Sequence, residues 1–382
     1  NQKLMERRQV FLDNAATTPI APEVVETMIP IMTDFYGNPS SSHSFGRSVR
    51  AQIEYSRRSI AKHLNVTPAE IVFTSGGTEA DNMAIRCSLK ELNIKHAITT
   101  DIEHHAVLDT LESICAEYDV RLSKVRIDEK GYVDVSHLDE LLANNERSFV
   151  SIMHANNEIG NLIDLDEVSE LCLKHNAVFH SDTVQTMAHY PFDFSKTKID
   201  FATCSAHKFH GPKGIGFLYI NKNLKITSML IGGGQERGLR AGTENVYGIV
   251  GLAKAMDLSY VDVEEHAAHI KGLKYAMLER FQNELPGVSF NGDPKGNSLY
   301  TILNVALPPT DKAGMLLFNL DINGIAVSGG SACSSGAGTS SHVLAGIAAN
   351  PDCPAVRFSF SRYTTKEEID YAVDCVLEFY DN

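Results

Sequence analysis

Through its first 260 residues the chain alternates short apolar runs with stretches of helical spacing, and few folds accept that pattern. The runs fall at 71–74, 96–99, 120–125, 148–153, 177–181, 199–204 and 216–220. Each is brief, β-branched or aromatic, and bounded by polar residues or glycine, as strands are. Between most of them apolar residues recur every three, four or seven positions. Val49, Ile53, Ile60 and Leu64 do so in 47–64, and Val107, Leu108, Leu111 and Cys115 in 106–118. Strands alternating with helices predict crossover units, hence a mostly parallel sheet covered on both faces.

Beyond residue 260 the pattern changes. Residues 263–285 read as one amphipathic helix with Ala267, Ile270, Leu273, Met277, Phe281 and Leu285 on one face, stopped by Pro286-Gly287. Strand-like runs come next at 299–307, 322–328 and 355–361, a Gly/Ser-rich loop spans 329–341, and a last helix starts at Lys366. This second part reads as a smaller α+β domain, and 382 residues fit two domains.

The charge balance narrows the partners. With 34 basic and 48 acidic residues the net charge is −14, a poor grip for nucleic acid or an anionic membrane. No run reaches the ~18 apolar residues of a membrane span, and no signal-peptide stretch is present. Met5 is the expected native start, with residues 1–4 outside the fold. The seven cysteines, an odd number with no Cys-x-x-Cys pair, favour a reducing compartment over a disulfide framework, which predicts a cytoplasmic protein.

In open α/β sheets ligands bind beyond the carboxyl ends of the strands. The residues just past each run are therefore informative: Ser75-Gly76-Gly77-Thr78-Glu79, Asp101-Ile102-Glu103-His104-His105, His154-Ala155-Asn156-Asn157-Glu158, Asp182 with Gln185, and Ser205-Ala206-His207-Lys208. Five strand ends deliver polar or titratable groups to one rim, which favours a built site over five solvated loops. The turn before Thr78 opens a helix with bare N–H groups, a geometry that suits phosphate. From these residues alone a plain N-cap with glycine in the turn explains it somewhat better, and it matches neither Gly-x-x-x-x-Gly-Lys-Ser/Thr nor Gly-x-Gly-x-x-Gly. Lys208, just past a buried strand, is a surface lysine or a desolvated nucleophile. Asp182 is its ion-pair partner or the acid that keeps a pyridine nitrogen protonated; an amine, such a carboxylate and a phosphate turn are the parts of a pyridoxal phosphate site. His207-x-x-His210 runs into Gly211-Pro212 and has no third ligand at metal spacing, so no metal is expected. Cys333 lies among small residues, Gly329 to Ser341, in a loop expected to be mobile and solvent-reachable. An incidental cysteine there is an oxidation liability, which tilts the reading toward use.

From about Phe11 to Asp381 the sequence resembles the cysteine desulfurases, pyridoxal phosphate enzymes of the class V aminotransferase group. The resemblance rests on Leu12-Asp13-Asn14-Ala15-Ala16-Thr17-Thr18-Pro19, Gly37-Asn38-Pro39-Ser40, Thr74 to Asn82, Met153 to Gly160, Ser205 to Gly216, Gly232 to Thr243 and Ser331 to Cys333. It implies the α/β fold-type I scaffold: a mostly parallel seven-stranded sheet in a large domain, 17–260, and a small α+β domain built from 1–16 and 261–382. Lys208 would be the Schiff-base lysine, Asp182 the partner of the pyridine nitrogen, and Gln185 that of the ring hydroxyl. His104 would stack on the ring and help move protons. Gly77, Thr78, Ser205 and His207 would hold the phosphate. Thr243 would reach the phosphate of a neighbouring subunit, making the active unit a homodimer. Asn157 and Arg357 would hold the substrate, L-cysteine, with Arg357 forked onto its carboxylate. Cys333 would take the sulfur as a persulfide and pass it to a sulfur-accepting protein, an iron–sulfur scaffold or a thiol carrier.

The long loop after Cys333 is similar to the subgroup that feeds iron–sulfur assembly. The chain is expected to lack the C-terminal extension with which some members dock a scaffold, leaving that partner open. Thr183 stands where alanine is usual beside Asp182, and Gly330 where a serine-like residue is common. Rivals on the same fold are a selenocysteine lyase, another β-lyase and an aminotransferase; Cys333 in its loop counts against them, least against the first. A catalytically silent sulfur-carrying scaffold is the rival of another class.

Overall fold

The computed structural model describes residues 8–143, 147–329 and 341–381. The strands are β1 (Val10–Phe11), β2 (Ile71–Thr74), β3 (His96–Thr99), β4 (Arg121–Lys124), β5 (Ser148–Ser151), β6 (Val178–Asp182), β7 (Phe201–Ser205), β8 (Gly216–Ile220), β9 (Ser289–Phe290), β10 (Ile302–Ala306), β11 (Ile325–Ala326) and β12 (Ala355–Ser359). The helices are α1 (Pro22–Asp34), α2 (Ser44–His63), α3 (Gly77–Glu91), α4 (His105–Tyr118), α5 (Val135–Ala143), α6 (Leu165–Lys174), α7 (Val246–Val261), α8 (Val263–Glu284), α9 (Leu316–Ile322), α10 (His342–Gly346) and α11 (Lys366–Asp381).

Among the described residues seven strands form one sheet in the order β2-β8-β7-β6-β5-β3-β4. β8 is antiparallel to both neighbours, and the other ladders are parallel. These strands are the seven apolar runs of the sequence. Successive residues serve opposite faces. Val72, Val178, Phe201 and Leu218 enter the core beneath α3 and α4, while Ile71, Phe73, Phe179, Ala202 and Phe217 enter the core shared with α2, α6 and α7. Apart from the edge strand β4, which is partly exposed, both faces are buried, so the strands read as continuous apolar runs instead of alternating ones.

A second core gathers Ile270, Leu273, Met277, Leu278 and Phe281 of α8 against β10, β12 and α11. Burying each such side chain contributes roughly 1.5–3 kcal/mol. Val10 and Leu12 belong to this core too, and β1 pairs in parallel with β11. The chain then crosses to the large sheet: Thr18 donates its amide and its hydroxyl to the carbonyl of His207, at 2.8 and 2.9 Å.

Candidate active site

The carboxyl ends of the parallel strands open onto a cavity of about 250 Å³. Its lining includes Ala15, Ala16, Gly77, Thr78, His104, Met153, Asn157, Asp182, Gln185, Ser205, His207, Lys208 and Arg357. All the sequence-predicted site residues but two are therefore brought together. Cys333 lies outside the described residues. Thr243 is exposed and is not part of the lining; its expected role concerns a second subunit. A larger pocket, about 450 Å³, lies at the opposite end of β7 and β8 beside Lys198, Tyr219 and Lys222, but it contains none of the rim residues.

The α3 end fits a phosphate. No side chain caps the helix, and Gly76 takes φ +153°, a conformation open to glycine. A Cβ on Gly77 would sit 2.9 Å from Val184 Cγ2. Unfilled backbone amides at a helix N-terminus, beside Ser205 and His207, form an anion cradle. Burial and the nearby lysines lower His207 to about 4, and its Nδ1 meets Thr17 Oγ1 at 3.1 Å. His210 makes a separate contact, Nδ1 to the Pro19 carbonyl at 2.9 Å.

Lys208 follows β7 in a short turn. Its Nζ donates to the carbonyls of Ala15 at 2.6 Å and Ala16 at 2.9 Å, so neutral acceptors from the N-terminal crossing hold the amine. Asp182 ends β6 and is 7% exposed. Burial, reinforced by the Asp81 carboxylate, raises it to about 6. Asp81 itself is raised to about 7 by burial, and Glu103 to about 8. A cationic ring nitrogen against Asp182 would offset that cost and favour the ionised carboxylate. Gln185 donates Nε2 to the Ala15 carbonyl at 3.0 Å. The departure at Thr183 is accommodated: its hydroxyl donates to the Thr203 carbonyl at 2.7 Å.

His104 caps α4, accepting the Ala106 amide on Nδ1 at 3.1 Å. Burial lowers its pKa against the pull of Asp182. A neutral ring accepting on Nδ1 carries its proton on Nε2. Arg357, on β12, is 1% exposed. Nη1 donates to the Asn157 carbonyl at 2.8 Å and Nη2 to Asp13 Oδ1 at 2.8 Å. The expected free fork is thus already held on two sides, and Nε has no partner among the described residues. A guanidinium offers five N–H donors, which leaves donors for a carboxylate.

Sequence reasoning passed over Asp81 and Asp13. Asp81 is 1% exposed and lines the cavity; its Oδ1 lies 3.3 Å from His180 Nε2 yet makes no hydrogen bond. Its spacing, three residues after Thr78 on the same helix, was the available signal.

The aminotransferase class-V family model matches residues 10–372. The chain is 40% identical over 376 residues to cysteine desulfurase IscS of Dictyoglomus turgidum, covering 97% of this chain and 94% of the relative. It is 40% identical over 381 residues to a putative cysteine desulfurase, IscS 1, of Bacillus subtilis, covering 98% of each. Among solved structures, a NifS-like protein superposes with TM-score 0.89 at 35% identity, covering 98% of this chain and all of the other. SspA in complex with cysteine superposes with TM-score 0.81 at 30% identity, covering 94% of this chain and all of the other. A family match over most of the chain, on a sheet whose rim carries these groups, makes this protein a member of the class-V aminotransferases.

Proposed function

We propose that the protein is a pyridoxal phosphate-dependent cysteine desulfurase. It converts L-cysteine to L-alanine and loads the sulfur as a persulfide on Cys333, for transfer to a sulfur-accepting protein in iron–sulfur assembly or other sulfur-containing products. The observation that carries this reading is one cavity joining the α3 amide cradle, Asp182, His104, Lys208 and Arg357, in a chain about 40% identical to named cysteine desulfurases.

Gly77, Thr78, Ser205 and His207 would hold the phosphate, Asp182 the ring nitrogen, Gln185 the ring hydroxyl, and Lys208 the aldehyde carbon. When bound there, pyridoxal phosphate supplies an electron sink for the pair left at the substrate Cα. Arg357 and Asn157 fix the substrate carboxylate and amino-acid backbone, as planar guanidinium recognition favours. The Lys208 amine would take the α-proton of the substrate, and His104 would hold a proton at Nε2. The Cys333 thiolate attacks the substrate sulfur: the S–S bond forms as the Cβ–S bond breaks. The bonding pair stays on carbon, which takes a proton and departs as alanine.

We read residues 17–260 as the cofactor domain and 1–16 with 261–382 as the second domain. The active unit is a homodimer in which Thr243 completes the partner site. Exposed apolar residues support this: Ile231 is 94% exposed, and the rings of Tyr36 and Phe45, both exposed, lie 5.5 Å apart at a tilt of 33°. No described helix is long and apolar enough to cross a membrane, and the described cysteines are free; both accord with a cytoplasmic site of action. The test is an assay of alanine and sulfide from L-cysteine, with selenocysteine alongside. Purified protein should be yellow and bleach with borohydride. A colourless, folded protein that yields no alanine overturns the proposal.

A further inference from the structure

The N-terminal crossing sets two arms of the cavity at once. Ala15 and Ala16 take the Lys208 amine through their carbonyls. Two residues earlier, Asp13 takes Nη2 of the buried Arg357 at 2.8 Å, and the same Oδ1 accepts the Ser328 hydroxyl at 2.8 Å. The Asp13 backbone bridges to Ser359, two residues beyond Arg357 on β12. The Arg357 amide donates to the Ser328 carbonyl at 2.7 Å. The carboxylate is thus locked to β12 on one side and to the residue opposite Arg357 on the other.

An arginine side chain has many rotamers to lose, and its planar fork recognises a carboxylate only when held in register. The Asn157 carbonyl fixes Nη1, and Asp13 fixes Nη2. We propose that Asp13 is the positioning residue of the substrate-carboxylate site: it orients Arg357, so that one four-residue segment, 13–16, aligns the guanidinium with the amine of Lys208. This rests on the proposed function, in which Arg357 binds the substrate carboxylate.

The test compares holoenzyme variants by their affinity for L-alanine and for L-alaninamide, which lacks the carboxylate, read from perturbation of the cofactor absorbance. Asp13→Ala should reduce the preference for alanine over its amide by about tenfold, the scale of a hydrogen bond to a charged group. It should raise KM for L-cysteine more than it lowers kcat. Asp13→Asn keeps an Oδ1 acceptor and should recover most of the preference. An unchanged preference in Asp13→Ala, or tighter alanine binding from loss of a competing charge, overturns the proposal. Should Asp13→Ala fail to fold, Asp13→Ser, which also withdraws the acceptor from Nη2, is expected to show the same loss, and wild-type preference there overturns it equally. Arg357→Ala separates the two roles: it should erase the preference, and if the preference survives, Arg357 is not the carboxylate site, whatever Asp13 does.

Discussion

The amine of Lys208 donates to the carbonyl of Ala15 at 2.6 Å, so the candidate nucleophile is aimed by a segment 193 residues away in sequence. Lys208→Ala removes that donor and leaves two carbonyls at a cavity where water can reach them. The variant should fold with wild-type circular dichroism, show no borohydride-sensitive yellow band and produce no alanine. Alanine production at even a tenth of the wild-type rate would remove Lys208 from the chemistry.

Cys333→Ser separates cofactor chemistry from sulfur transfer. The variant should stay yellow and should change its spectrum on addition of L-cysteine. Mass spectrometry should find no added sulfur on the protein. Sulfide release equal to wild type would make the cysteine incidental and the protein a simple lyase.

Asp182 should show a conflict between stability and function in the cofactor-free protein. Its folded pKa, about 6, lies above the ordinary carboxylate value. The unfolded chain therefore ionises first as pH rises, and native stability falls across the window from about 4 to 6. Above about 6 the loss is complete. Asp182→Asn should consequently melt higher than wild type at pH 8 in the cofactor-free form, with the gap closing below pH 4, while binding pyridoxal phosphate more weakly. Equal melting temperatures at pH 8 would show that burial imposes no such penalty.

The buried pair of Arg57 and Glu236 pins the 235–238 turn to β2. Glu236 Oε1 and Oε2 take Nη2 at 2.7 Å and Nη1 at 2.8 Å, and Oε2 also accepts the Phe73 amide at 2.9 Å. Glu236→Leu leaves Arg57 only Glu54, at 3.1 Å, and the Ile71 carbonyl, at 2.7 Å, and strands the Phe73 amide, so a loss of about 1.5–3 kcal/mol is expected from denaturant titration. A loss below about 1 kcal/mol, the range of surface pairs, would show the pair to be relaxed.

Legibility in the sequence followed the kind of signal each residue leaves. The strands were readable because both faces are buried: Ile71-Val72-Phe73 is apolar throughout, and such runs stand out. The reversal of β8 was not readable, since hydrophobic periodicity carries no direction. Lys208, Asp182, His104 and Gln185 were readable from their places just past strands. Asp13 and Asp81 were not, because a carboxylate that the fold half-buries or buries looks like any exposed one until its neighbours, Arg357 or His180, arrive from distant parts of the chain. Arg357 was readable only through resemblance, and its prior engagement by Asn157 and Asp13 needed coordinates. Thr243, whose expected role was read through resemblance alone, lies outside the cavity lining.

The antiparallel β8 has a bearing on how this scaffold tolerates change. Ser205 pairs with Gly216, so the ten residues carrying Lys208 are clamped at both ends by adjacent rungs. A parallel neighbour would have required a crossover of a dozen or more residues. Lengthening or shortening the helices elsewhere in the sheet can therefore shift the other rim groups without displacing this amine, and natural insertions should accumulate in the crossovers while the 206–215 return keeps its length.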